Sequence, residues 1–388
     1  MEISACVKYV GVNDHQVDLF EGQYKVPNGM SYNSYVILDE KIAVMDTVDG
    51  FFTEEWLNNV EQVLDGKMPD YLVIQHMEPD HSASIPAFLK KYPNATVVST
   101  AKGFQFMEQF FPEFFAEQGL PAEQRIVAAN DGVLELGQHS LHFVYAPMVH
   151  WPEVMMTYEA TEKILFAADG FGKFGALDVE EEWANEARRY YIGIVGKYGP
   201  QVQAVLKKAA GLDIQTICSL HGPVLKENLG FYLEKYDKWS SYQPEESGVV
   251  IAYASVYGNT RNAAEYLADA LQEKGQKTVL YDLARCDKAK AVADAFRYDR
   301  LVLAGITYNG DLFPCMRSFI EGLTERNYQN RKVAIIENGT WAPMAGKLIL
   351  GMFEKSKNLT FTETTVSIKS AMNEQNKGEI GKLAQELS

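Results

Sequence analysis

Within the stretch Gln75-His76-Met77-Glu78-Pro79-Asp80-His81-Ser82, two imidazoles and two carboxylates fall within six positions. The stretch follows directly on Tyr71-Leu72-Val73-Ile74, an apolar run bounded by polar residues that reads as a buried strand. Side chains at a strand end point in several directions, so four ligating groups can converge on more than one centre. Neutral imidazole and ionised carboxylate suit iron, zinc or manganese. A lone histidine reads as a capping or core residue. Clustered with Glu78, Asp80 and His81, His76 reads instead as part of a metal site.

Three more candidate ligands sit at or just beyond strand-like runs: His150 after Leu141–Tyr145, Asp169 after Ile164–Ala168, and His221 after Ile214–Leu220. Strand ends that share one edge are where side chains converge. Around them, Asn33–Asp39 and Ile42–Asp46 are expected to pair as a hairpin across Glu40-Lys41. Thr53 is the expected N-cap of a helix carrying Trp56, Leu57, Val60, Val63 and Leu64 on its apolar face. The phenylalanine-rich stretch Phe104 to Phe115 reads as core or partner contact, with no catalytic role. A charged helix is expected over Val179 to Val195, its Tyr190 and Tyr191 more consistent with a helix surface than with the ligand cluster. His15, His139 and His142 are left as structural or surface residues.

Tyr242–Gly248 is polar, holds Pro and Gly, and reads as the linker. Beyond it the pattern alternates strand and helix, which means a parallel sheet with helices on both faces. The turn Ser255-Val256-Tyr257-Gly258-Asn259-Thr260 follows the first strand and opens a helix, where free N–H groups and the helix dipole favour a phosphate. Thr307-Tyr308-Asn309-Gly310-Asp311 and Asn338-Gly339-Thr340-Trp341-Ala342 follow later strands at the same C-terminal edge. Tyr308 and Trp341 supply surface for a flat ring. Neither a nucleotide-triphosphatase phosphate loop nor a dinucleotide glycine fingerprint is present, so flavin mononucleotide (FMN) is the expected cofactor.

With 388 residues and 47% hydrophobic composition, the chain is long enough for two cores. A formal net charge of −16 disfavours nucleic acid as the main partner. Cys6, Cys218, Cys286 and Cys315 form no C-x-x-C pair, which argues against a disulfide framework, a structural zinc site or an iron–sulfur cluster. No apolar run approaches a membrane span and the first residues lack a signal-peptide core, so a cytoplasmic location is expected.

On these residues, together with His150-Trp151-Pro152, Asp169-Gly170-Phe171-Gly172 and His221-Gly222-Pro223, the sequence resembles the flavodiiron proteins, or A-type flavoproteins. Hydrolytic relatives of the same fold usually carry histidine where Glu78 stands. The resemblance implies a metallo-β-lactamase-like αββα sandwich of α+β class over residues 1–243, followed by an α/β flavodoxin-like doubly wound sheet over 248–388. It implies one iron on His76, Glu78 and His150, a second on Asp80, His81 and His221, and Asp169 bridging them, with His81 the ligand that varies most. The implied activity is reduction of dioxygen to water, of nitric oxide to nitrous oxide, or both, fed through FMN. A separate donor is expected, either a rubredoxin-like protein or a reduced deazaflavin coenzyme, along with a head-to-tail homodimer or dimer of dimers. The alternative is a dinuclear zinc hydrolase with a flavodoxin-like accessory domain.

Overall fold

The computed structural model describes residues 3–388. One compact unit comprises the chain up to Tyr191 together with Pro200–Tyr236; the other comprises Ile192–Gly199 and Asp237–Ser388. The boundary expected at residue 243 therefore lies earlier, and the short piece Ile192–Gly199 belongs with the second unit. Hydrogen bonds explain this assignment: the Tyr242 hydroxyl donates to Gly196 O at 3.0 Å, and the Asn327 amide donates to Lys197 O at 2.8 Å.

In the first unit, six strands lie side by side in chain order. They are β1 (Val7–Tyr9), β2 (Tyr35–Ile37), β3 (Ala43–Met45), β4 (Tyr71–Val73), β5 (Thr96–Ser99) and β6 (Arg125–Val127). The first three are antiparallel neighbours, and the pairs from β3 to β6 are parallel. A second sheet runs β7 (Val133–Glu135), β8 (Ser140–Tyr145), β9 (Met155–Glu159), β10 (Ile164–Phe166) and β11 (Thr216–Cys218). The inward residues of both sheets, among them Tyr35, Met45 and Val73 against Leu141, Phe143 and Phe166, form one buried cluster. β2, β3 and β4 are buried along their whole length, so their other face is covered too. Trp56, Val60 and Leu64 of the helix Thr53–Leu64 are buried, with the Trp56 ring 5.8 Å from Phe88. Full burial of each such aliphatic side chain contributes roughly 1.5–3 kcal/mol. The result is the expected αββα sandwich.

Several local expectations change. Thr53 is not an N-cap: a 3₁₀ turn, Gly50–Phe52, precedes the helix, and Asp49 caps that turn by accepting from Phe51 N at 2.9 Å. The Thr53 hydroxyl instead donates to Gly50 O at 2.9 Å. β2 and β3 stop at Ile37 and Ala43, so their connection is longer than Glu40-Lys41. The helix expected from Val179 starts at Trp183 and passes into a π-helical turn at Tyr191–Val195. Glu181 is drawn away from helix by Lys173 Nζ at 2.6 Å and the Asn28 amide at 2.9 Å.

The second unit holds β12 (Glu246–Tyr253), β13 (Thr278–Asp282), β14 (Tyr298–Tyr308), β15 (Arg331–Asn338), β16 (Leu359–Phe361) and β17 (Val366–Ile368). Their order is β13-β12-β14-β15-β16, all parallel, with β17 also beside β15. One face packs on the helices Asn259–Glu273 and Glu374–Glu386 through Leu267, Leu271, Ile380 and Leu383. This is the doubly wound arrangement whose ligands sit beyond the C-terminal strand ends. Part of the expected linker is strand: Glu246 pairs with Tyr298, and its carboxylate receives Lys277 at 2.6 Å and Arg297 at 2.7 Å. Thr307 and Tyr308 continue β14 and pair with Asp311-Leu312 around Asn309-Gly310, both at positive φ. Asn338 closes β15 and so precedes the loop. Among the described residues no helix is long and apolar enough to cross a membrane.

Candidate functional site

β4 ends at Val73, and the next residues are held from several sides. Buried Asp46 accepts Gln75 N at 2.7 Å and the Gln75 amide at 2.8 Å. Thr47 N and its hydroxyl both donate to His81 O, at 2.9 and 2.8 Å, and the Ser82 hydroxyl donates to Met77 O at 2.9 Å. Pro79 opens the one-turn helix Pro79–Ser82 with Glu78 before it. The Asp169 turn is fixed by Ser219 Oγ donating to Gly170 O at 2.6 Å and by Tyr236 accepting Phe171 N at 2.6 Å. At Gly172 a Cβ would stand 3.1 Å from Asp169 O, 3.2 Å from Tyr190 and 3.4 Å from His221, so a side chain there would crowd the turn. The His221 loop is tied by Asn33, whose amide donates to Ser219 O and Gly222 O at 2.9 and 2.8 Å.

These loops bring the seven residues into two adjoining groups, His76, Glu78, His150 and Asp169 in one and Asp80, His81 and His221 in the other. In the first, Glu78 Oε2 lies 3.1 Å from His76 Nε2 and 3.0 Å from His150 Nε2. In the second, Asp80 Oδ2 lies 3.3 Å from both His81 Nε2 and His221 Nε2. Asp169 joins them through different oxygens, Oδ2 at 3.2 Å from His150 Nε2 and Oδ1 at 3.2 Å from His81 Nε2. His81, the least certain of the seven expected ligands, lies inside the cluster. Two outer bonds orient rings: Glu153 Oε1 accepts His76 Nδ1 at 2.8 Å, and Ser31 O accepts His221 Nδ1 at 2.7 Å. Each leaves the Nε2 lone pair aimed inward.

The cluster carries its own evidence for cations. His81 Nε2 and His221 Nε2 face each other at 3.0 Å, a repulsive contact between lone pairs unless a proton or metal intervenes. Both Asp80 oxygens and Asp169 Oδ1 are buried without a hydrogen-bond partner. Burial resists charge on His76, yet Asp169, Glu153 and Glu78 outweigh it and hold the pKa well above the ordinary imidazole value. Burial likewise opposes charging His150, but Asp169 and Glu78 bring its pKa up to about 9. For Asp169 burial is again opposed, here by His150, His76 and His81, and the carboxyl falls well below its usual range. Without metal the site gathers protons; cations would replace them. The donor set, imidazole with carboxylate and no thiolate, fits two irons.

The second site is a cavity of about 520 Å³ at the C-terminal edge of the parallel sheet. It is lined by Ser255, Val256, Tyr257, Asn259, Thr260, Thr307, Tyr308, Asn309, Gly310, Asn338, Gly339, Thr340, Trp341 and Ala342, all expected, and also by Ile306, Met344 and Ser370. Of the three expected turns, Gly258 and Asp311 lie outside the lining; Gly258, at φ +92, is the N-cap of Asn259–Glu273, and its N–H donates to Ser255 Oγ at 3.1 Å. No side chain caps this helix, so its first N–H groups are open to a phosphate. Tyr257 and Trp341 stand 93% and 89% exposed at the rim, free to cover a flat ring.

Sequence reading missed the partners that aim the ligands: Glu153, Ser31, Asn33 and Asp46. Glu153 was the one within reach, since it closes the His150–Pro152 segment. Tyr190 and Tyr191 are buried, contrary to a surface role, and the Tyr190 ring lies 5.5 Å from His221. Of the phenylalanine stretch, Phe106 and Phe110 pack on Trp151, whose ring is 5.3 Å from His76.

The chain matches the family model "ODP family beta lactamase" over residues 30–222 and the "Flavodoxin domain" model over 250–359. It is 28% identical to an anaerobic nitric oxide reductase flavorubredoxin of Vibrio vulnificus, over 86% of this chain and 69% of that protein. Its fold superposes on rubredoxin oxygen:oxidoreductase from Desulfovibrio gigas with a TM-score of 0.91, at 25% identity, covering 100% of this chain and 97% of the other. The flavodiiron protein of Giardia intestinalis gives 0.90 at 26% identity, covering 100% and 96%.

Proposed function

We propose that this chain, which belongs to the flavodiiron proteins, is an oxidoreductase that reduces dioxygen to water, nitric oxide to nitrous oxide, or both. The observation that carries the proposal is Asp169, with one oxygen turned to each of two buried ligand groups, at 3.2 Å from His150 and 3.2 Å from His81. On this reading His76, Glu78 and His150 would hold one iron and Asp80, His81 and His221 the other, with Asp169 serving both. Bound iron would supply redox equivalents and open coordination positions for a diatomic gas, and FMN in the second unit would store electrons.

The protein's own groups set the conditions. Glu153 and Ser31 O hold His76 and His221 in the tautomer that presents Nε2. Glu78, where a neutral histidine would serve hydrolysis, adds negative charge that favours iron over zinc. Phe20 and Tyr190 pack their rings within 5.4 and 5.5 Å of the His221 ring, aromatic surface that limits water beside it. Electrons would come from a separate donor, a rubredoxin-like protein or a reduced deazaflavin coenzyme, and the working assembly would be a head-to-tail homodimer.

Anaerobic stopped-flow of the reduced protein against each gas tests the proposal. Fast reoxidation by dioxygen or nitric oxide is expected. A colourless, zinc-loaded protein inert to both gases would instead support the hydrolase.

A further inference from the structure

At the other end of the same sheets is a second group of ligating atoms, independent of the reading above. β8 enters at Ser140 and leaves toward His150; β10 enters at Ile164 and leaves toward Asp169. At their entry ends, Cys6, His139 and Glu162 bring one thiol, one imidazole and one carboxylate together, with ligand atoms all within 4.8 Å of one another. The residues come from three places: the segment before β1, the β7–β8 turn and the β9–β10 turn.

We propose that Cys6, His139 and Glu162 form a third metal site, for zinc or a similar thiolate-binding divalent cation, that braces the two sheets of the sandwich.

Four observations support this. First, Asp39 accepts both His139 N and His139 Nδ1, at 2.7 and 2.8 Å, so the Nδ1 proton is assigned and the Nε2 lone pair faces the other two groups. This carboxylate–imidazole pairing is the outer arrangement that metal-bound histidines need. Second, His139 is buried, and its Nε2 lies 3.7 Å from Glu162 Oε1, too far for a hydrogen bond. Ligand atoms around a tetrahedral zinc are roughly 3.3–3.7 Å apart, given bonds of about 2.0–2.3 Å. Third, Glu162 Oε2 is buried with no hydrogen-bond partner. A lone pair facing carboxylate oxygens in a buried place is unfavourable, and a cation between them removes the conflict. Fourth, burial and then the carboxylates Glu162, Asp39 and Glu159, opposed by Lys8, push the Cys6 thiol pKa up, a negative surrounding that disfavours a bare thiolate and that a bound cation would offset.

The loops are also held in place. Leu38 N donates to Cys6 O at 2.9 Å, tying Cys6 to the β2–β3 connection that carries Asp39. Thr161 Oγ1 donates to Gln138 O at 2.8 Å, linking the two turns. The Glu159 carboxylate accepts Thr161 N at 2.8 Å and Glu162 N at 2.7 Å, which fixes the turn that presents Glu162. Three protein ligands leave one position for water, and Cys6 and Glu162 are part-exposed, so an ion can enter from solvent.

The test uses full-length protein already loaded with iron and FMN, given zinc and then desalted. One further zinc per chain should remain, and X-ray absorption at the zinc edge should show a sulfur neighbour at about 2.3 Å. Cys6→Ser should abolish the sulfur neighbour and weaken zinc binding on the order of 100-fold, and Glu162→Gln should weaken it roughly 10-fold, with iron and FMN content unchanged. Zinc retained by the wild-type protein without a sulfur neighbour would overturn the proposal, as would no retained zinc or a sulfur neighbour that survives Cys6→Ser. The wild-type spectrum decides even if a variant folds poorly.

Discussion

The ligand cluster of the first unit and the cradle of the second are built on opposite physical terms. His76, His81 and His221 are at most 1% exposed, and hydrogen bonds from distant segments aim His76 and His221. The cradle is made of backbone turns at one sheet edge, and its aromatic rim is almost wholly in solvent. A centre that holds charged ions has to be rigid and shielded, because misplaced buried charge is costly. On the proposed function, a site that takes electrons from an outside donor has to stay reachable. The difference also means each site can be damaged without the other.

The largest effect expected is for Asp169→Ala. Gas reduction should be lost, while donor reduction of the flavin stays within about twofold, as measured by stopped-flow; surviving turnover would remove Asp169 from its bridging place. Glu153→Gln keeps the shape but loses the acceptor for His76 Nδ1, and iron affinity should drop roughly 10- to 100-fold in chelator competition, with FMN content unchanged. Conversely, Trp341→Ala should cost about 1 kcal/mol of aromatic contact, near a fivefold weaker FMN by fluorescence titration, with iron content unaffected. The remaining prediction concerns pH and is read in stability rather than in activity or affinity. In chelator-stripped protein, His150 has its pKa raised from 6.5 to about 9. Its contribution to stability is full below pH 6.5 and lost as pH rises through about 9. Thermal melts of the stripped protein should therefore fall across that window, and iron-loaded protein should not show the same loss.

How much of this was legible in sequence follows from which interactions are local. The seven candidate ligands stood out because they cluster after one apolar run or follow others, and the structure gathers them into two adjoining groups; the βαβ alternation gave the second unit its topology. The Glu246–Gly248 strand start was hidden, since its polar residues are paired with Lys277 and Arg297 from other segments. Thr53 looked like a cap only because the Asp49 turn before it has no apolar periodicity. The burial of Tyr190 depends on Phe20 and Phe174, distant in sequence. Nor could spacing reveal that His139 meets Cys6 and Glu162, which only the packing of two sheets brings together.

Mössbauer spectroscopy of the iron-loaded protein addresses the paired-metal centre most directly. The account predicts an exchange-coupled pair of irons with nitrogen and oxygen ligands, uncoupled or depleted in Asp169→Ala. A single isolated iron, or a fully active protein that carries only zinc, would contradict it.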